Sequence, residues 1–121
     1  YHTRSKGVDT FGPMGPWITP KDLVPEPNNL AVIGSLDDEI FTHDNTANYR
    51  FSVEECISEA SRYFTLEPGD LISFGTTGKG CGRFPHGHKS LLIGEEIGTI
   101  TISIDPLGTL SNPIQHQCGG A

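Results

Sequence analysis

The sequence predicts a mixed α/β chain that is mostly β, built from short strands with one main helix. Three observations carry that reading. The 121 residues include 15 Gly and 9 Pro without any period, which favours turns over a helical bundle or a collagen-like rod. Most apolar runs are short and bounded by turn residues. A single segment, 52–65, carries a helical period.

Residues 1–29 read as a long ordered loop. Gly7, Gly12, Pro13, Gly15, Pro16, Pro20, Pro25 and Pro27 leave no room for a helix. Each proline removes a backbone donor and drives the preceding residue extended. Phe11, Met14, Trp17 and Ile18 are large and apolar, so this loop is expected to pack against a core. Residues 30–36 and 39–42 read as the two strands of a hairpin joined by Asp37-Asp38, which tolerate tight turns. Ser52 with Glu55 three residues on forms a capping box. Val53, Cys56, Ile57, Ala60 and Phe64 then share one helical face, with Glu54, Glu59 and Arg62 opposite. That face is expected to be core packing, with Cys56 as a buried small hydrophobe. The helix must end near Thr65, before Pro68-Gly69. Residues 71–74 read as a short buried strand leading into the glycine-rich stretch 75–82. Ile100, Ile102 and Ile104 mark a further strand, with Ile97 out of phase. Pro106-Leu107-Gly108 turns the chain, residues 109–114 return, and 115–121 show no pattern.

Composition narrows the function. A formal charge of −7 argues against a general binder of nucleic acid or anionic membrane, because neutralising phosphates needs clustered Lys and Arg. No apolar run approaches the ~20 residues of a membrane-spanning helix. Cys56, Cys81 and Cys118 are far apart, odd in number and lack Cys-x-x-Cys spacing, which points to a reducing compartment rather than a disulfide scaffold or zinc knuckle. The cytoplasm is expected, with the mitochondrion as the alternative.

Four places could carry chemistry. The stretch 75–82 follows an apolar segment, and a glycine-rich turn exposes backbone N–H groups that can hold an anion, with Thr76 and Thr77 adding hydroxyls. It is no nucleotide phosphate loop: Ser73 stands where the leading glycine belongs, and Gly80 has no hydroxyl for a metal ion. Arg4 and Lys6 at one end, and Lys79, Arg83 and Lys89 further on, flank residues 22–70, where eleven acids face two bases. If the basic stretches meet, they make a positive pocket suited to a carboxylate; the alternative is two solvated patches. His86-Gly87-His88 could ligate a metal but lacks a third ligand nearby, so a surface loop is the simpler reading. His43-Asp44 beside Asn45-Thr46 lacks a nucleophile partner and reads as a turn closing the hairpin.

Several of these stretches lie in register with one known family. The run Arg4-Ser5-Lys6-Gly7-Val8-Asp9-Thr10-Phe11-Gly12-Pro13-Met14-Gly15-Pro16-Trp17-Ile18 resembles the central signature of the fumarylacetoacetate hydrolase family. Asn45-Thr46 leading to Phe51-Ser52-Val53, Leu66-Glu67-Pro68-Gly69-Asp70, Gly75-Thr76 and Gly108-Thr109-Leu110-Ser111-Asn112-Pro113 resemble it too, covering residues 4–114. Gly7-Val8, Thr77-Gly78-Lys79 and the segment 81–92 depart from the pattern.

The resemblance implies a mixed β-roll and a divalent-metal-dependent enzyme acting on 2-oxo acids of the acylpyruvate or oxaloacetate type. C–C hydrolysis or decarboxylation through an enolate is the leading expectation, and isomerisation or hydration of a 2-hydroxydienoate is the alternative. A third alternative is a non-catalytic binding or structural subunit that keeps the fold. By the same resemblance, Lys6 would be the active-site lysine, and Thr76 with the backbone of Gly75 would hold the substrate carboxylate. Magnesium or calcium would be held by acidic residues upstream of the Lys6 motif, so no metal ligand is expected on this chain. Residues 1–121 are therefore expected to be the C-terminal portion of a single catalytic domain, inactive alone. Its partners would be the N-terminal portion of the same protein, a small carboxylate substrate and a second copy in a homodimer.

Overall fold

The structure, a computed structural model, describes residues 7, 9–92 and 94–115. Four antiparallel strands form one sheet: β1 (Ala31–Leu36), β2 (Glu39–Asn45), β3 (Gly98–Ile104) and β4 (Gly108–Ile114), in the order β2-β1-β3-β4. One α-helix, α1 (Val53–Ser61), lies between β2 and β3 in sequence. The mostly β chain with one main helix is thus as the sequence predicts.

The hairpin turns at Asp37, whose φ of +50° Asp adopts more readily than most residues. Asp37 also ties this turn to β3: its carboxylate accepts from the Thr99 amide at 2.8 Å and its own amide donates to the Thr99 carbonyl at 2.8 Å. Between β1 and β2, Gly34 pairs with Thr42 but Ser35 pairs with Ile40, so Phe41 is the extra residue of a bulge. That extra residue breaks the alternation of β2, and Phe41 and Thr42 are both buried. β3 and β4 face each other through hydroxyl pairs, Thr101 with Ser111 at 2.9 Å and Ser103 with Thr109 at 2.8 Å. Pro113 is tolerated because β4 is an edge strand.

The core is small. Leu36, Phe41 and Phe84 are buried, with Leu91, Ile100, Ile102 and Ile114 packed around them. The Phe41 and Phe84 rings meet edge to face, 6.1 Å between centroids at 78°.

Three expectations need correction. Residues 71–74 form no strand, and Leu71 is 77% exposed; no described strand runs alongside to pair with them. The segment before residue 29 does not bury its apolar side chains: Met14, Trp17 and Ile18 stay exposed, and only a short 3-10 turn at Lys21–Leu23 interrupts it. Trp17 and Pro16 do lie against Gly108, at the start of β4. Third, α1 has no buried residue; Cys56 is half-buried, and Ile57 and Phe64 are exposed. An open groove of about 910 Å³ runs along the helix, lined by Cys56 and Ala60 of that stripe, by Phe51 and Tyr63, and by polar residues such as Glu55 and Glu59.

Candidate functional site

The site is built on the free edge of β2. The glycine-rich stretch after residue 74 returns to that edge and is fastened along it. The Thr42 hydroxyl donates to the Lys79 carbonyl at 2.6 Å, Thr42 bridges Gly80, and the Cys81 amide donates to the Phe41 carbonyl at 3.2 Å. Gly80 is required by close approach: a methyl there would collide with the Phe84 carbonyl and the Gly87 amide. The bulge at Phe41 makes this geometry available. It turns Phe41 into the core and leaves Thr42 to meet the loop.

Asp44 holds the loop from below. It is buried, and its carboxylate accepts from the amides of Asn45 at 2.8 Å and Lys79 at 3.1 Å and from the Asn48 side chain at 2.6 Å. Burial pushes the Asp44 carboxyl up, but the hydrogen bonds from Asn48, Asn45, Lys79 and Gly78 together outweigh it and hold the group below its ordinary value. The sequence points to loop N–H groups that hold an anion. At residues 78–79 those groups do hold one, and it is the protein's own aspartate. An external ligand is left with the first part of the loop, Gly75 to Thr77.

Asn45 caps a 3-10 turn, Thr46–Asn48, by accepting from the Ala47 amide at 2.7 Å. Thr46 fastens that turn to the preceding segment through the Leu30 amide and the Pro27 carbonyl. The turn delivers Tyr49, whose hydroxyl donates to the Gly75 carbonyl at 3.3 Å. Burial and the nearby Asp44 charge raise the Tyr49 hydroxyl's pKa, so it remains a donor at neutral pH. Gly75 sits at φ +84°, a conformation that favours glycine.

Tyr49, Arg50, Phe51, Phe74, Gly75 and Thr76 line a cleft of about 230 Å³. Thr76 is exposed, its hydroxyl donating to the Thr77 carbonyl at 3.2 Å. Thr77 is buried, and its hydroxyl has no partner among the described residues. The structure therefore puts Gly75 and Thr76, both singled out in sequence, on the wall of one cleft.

Other candidates fare differently. Arg4 and Lys6 lie outside the described residues. Arg83 is committed to Glu39 at 2.7 Å and Glu96 at 3.1 Å, which raise its pKa, and it stacks on Phe84. It is therefore not available to a positive pocket. His86 and His88 sit at a short 3-10 turn, Gly87–Ser90, and no group of three metal-ligating side chains occurs among the described residues. The described residues thus do not by themselves fit a divalent ion: Asp44, the buried acid nearest the cleft, is already filled by N–H donors. His43 and Asp44 belong to β2 rather than to a closing turn. Asp44 carries no sequence motif that marks its role, its one hint being its place beside the turn-forming Asn45-Thr46, and no motif marks Arg50 as a residue of the cleft.

Residues 2–115 match the family model described as the fumarylacetoacetate (FAA) hydrolase C-terminal domain. The chain belongs to the fumarylacetoacetate hydrolase family. Among its relatives in that family are uncharacterised proteins of Staphylococcus aureus strains USA300 and NCTC 8325, each 38% identical over 111 residues, 91% of this chain and 35% of theirs. The crystal structure of maleylpyruvate hydrolase from Sphingobium sp. SYK-6 superposes with a TM-score of 0.71 at 31% identity, over 88% of this chain and 36% of that one. The chain thus spans about a third of the length of these family members. No helix among the described residues is long and apolar enough to cross a membrane.

Proposed function

We propose that this chain forms the C-terminal portion of a fumarylacetoacetate hydrolase-like catalytic domain that cleaves the C–C bond of 2-oxo acids of the acylpyruvate or oxaloacetate type, by hydrolysis or decarboxylation. The likeness to a maleylpyruvate hydrolase over nearly the whole chain carries the reading. The open Gly75–Thr76 turn in the cleft is consistent with it.

Gly75 and Thr76 hold the substrate carboxylate through the turn backbone and the Thr76 hydroxyl. Lys6 faces the reacting end of the substrate, where its ammonium stabilises the developing enolate or orients water. In the hydrolytic case, water adds to the acyl carbonyl carbon and the C–C bond breaks. The bond's electron pair passes to the pyruvyl fragment as an enolate, which takes up a proton to give pyruvate, and the acyl group leaves as a carboxylic acid. A divalent ion, magnesium or calcium, would supply Lewis-acid chemistry at the 2-oxo acid and is proposed to be held by carboxylates outside the described residues. The remainder of a longer polypeptide and a second copy of it are the proposed partners.

The test is turnover by the whole protein. Acylpyruvate and oxaloacetate are supplied in turn with magnesium, and pyruvate release is followed. Release that is abolished by EDTA and restored by magnesium is the expected outcome. No pyruvate from any of these substrates would overturn the proposal.

A further inference from the structure

Residues 22–70 hold eleven acids and two bases, Arg50 and Arg62. Arg62 pairs with Glu59 at 3.0 Å on the helix surface, and Arg83, outside that stretch, pairs with Glu39 and Glu96. Arg50 makes no ion pair with any described residue, although acids dominate its surroundings in sequence. Its guanidinium lies over the Phe51 ring, 5.6 Å from the centroid, and the residue lines the same cleft as Gly75 and Thr76. The aromatic face supports a cation without occupying its N–H groups, so the fork of donors stays free for a planar acceptor. The backbone around it is held on both sides. Tyr49 closes the preceding 3-10 turn through a 3.0 Å bond from its amide to Thr46, and Ser52 begins the capping box of α1. At about 230 Å³ the cleft is smaller than the roughly 300–1,000 Å³ typical of pockets for drug-sized ligands, in keeping with a small organic acid.

We infer that Arg50 is the charged binding residue of this cleft, pairing with the substrate carboxylate that the Gly75–Thr76 turn engages from the other side. The inference deepens the proposed function and rests on it for the identity of the substrate. Arg50 touches the carboxylate and takes no part in bond breaking. Its contact is the same in ground and transition states, so its removal acts on binding.

Two measurements test it, one independent of turnover. In the whole protein, Arg50→Met is expected to raise KM for an acylpyruvate about tenfold or more, with kcat changed by less than about threefold; tenfold corresponds to about 1.4 kcal/mol. Arg50→Lys, which keeps the charge but not the fork, is expected to recover part of that loss. An unchanged KM in Arg50→Met overturns the inference while leaving the proposed function standing. If the protein turns over none of the substrates, the inference is still decided by NMR titration with pyruvate and with its neutral amide. Pyruvate is expected to shift the Gly75 and Thr76 amides and the Arg50 Nε resonance, pyruvamide to shift none, and Arg50→Met to abolish the pyruvate response at Gly75 and Thr76. Equal shifts in Arg50→Met, or no response to pyruvate in the parent, overturn it.

Discussion

Asp44 shows how one side chain can set the shape of a binding loop. Its carboxylate joins the end of β2 and the nearby Asn48 side chain to the backbone at Lys79, 35 residues further along the chain. Replacing it by Asn turns one acceptor oxygen into an NH2 group that faces N–H donors. Asp44→Asn is expected to cost about 1–3 kcal/mol at neutral pH, read as a lower urea midpoint. The sign of its pH dependence follows from the depressed pKa. A carboxyl held below its unfolded value of about 3.9 stabilises the fold fully above that value. The contribution fades as pH falls through the folded-state pKa. The gap in stability between parent and Asp44→Asn is therefore expected to be constant from neutral pH down to about 5 and to shrink below about 4. A gap that widens on acidification would contradict the assignment of the charged form. The bonds to Asn45 and Asn48 are local, but the bond to Lys79 was not legible in the sequence, because it exists only when residues 78–79 return to the β2 edge.

The helix is the opposite case. Its start was readable from Ser52 and Glu55 alone, and both bonds of the capping box are present: the Ser52 amide donates to Glu55 at 2.8 Å and the Glu55 amide to Ser52 at 3.1 Å. Capping is local chemistry, so sequence suffices for it. What the helix packs against is not local, and the expected burial of Cys56 and Phe64 does not occur against the described residues. A helix with no buried residue opens independently of the core. Ser52→Ala is thus expected to speed hydrogen exchange of the α1 amides about fivefold, for a cap worth about 1 kcal/mol, while the slow amides of β1 and β3 keep their rates. Equal acceleration in the sheet would show that α1 and the core unfold as one unit. Asn28 adds to this end of the helix, accepting from the Val53 amide at 2.9 Å and donating to Glu54 at 2.8 Å; that bond holds the Glu54 carboxyl below its usual value.

Across the molecule, the core supports the later part of the glycine-rich loop at Gly80. Phe41 and Phe84 meet edge to face in the interior, while the Phe84 carbonyl accepts from the Gly87 amide and, with Pro85, packs against Gly80. Phe84→Ala should therefore act in two places. It is expected to destabilise the fold by about 3–5 kcal/mol, seen in chemical denaturation, and to loosen the Lys79 and Cys81 amides at the β2 edge. If stability falls but those amides stay protected in the folded fraction, the loop is held by Thr42 and Asp44 alone.

The hairpin turn, the capping box and the β3–β4 pair could be read directly from the chain, since each depends on residues close in sequence, and the family resemblance could be read from several short motifs in register over residues 4–114. The burial of Asp44, the assembly of Arg50 with Gly75 and Thr76, and the exposure of the helix face could not. The first depends on which segment lies along the edge of β2, the second on where the Tyr49–Gly75 contact brings the loop, and the third on what packs over the helix. All three are matters of long-range contact, where the free energy belongs to contacts between residues that neither composition nor periodicity brings together.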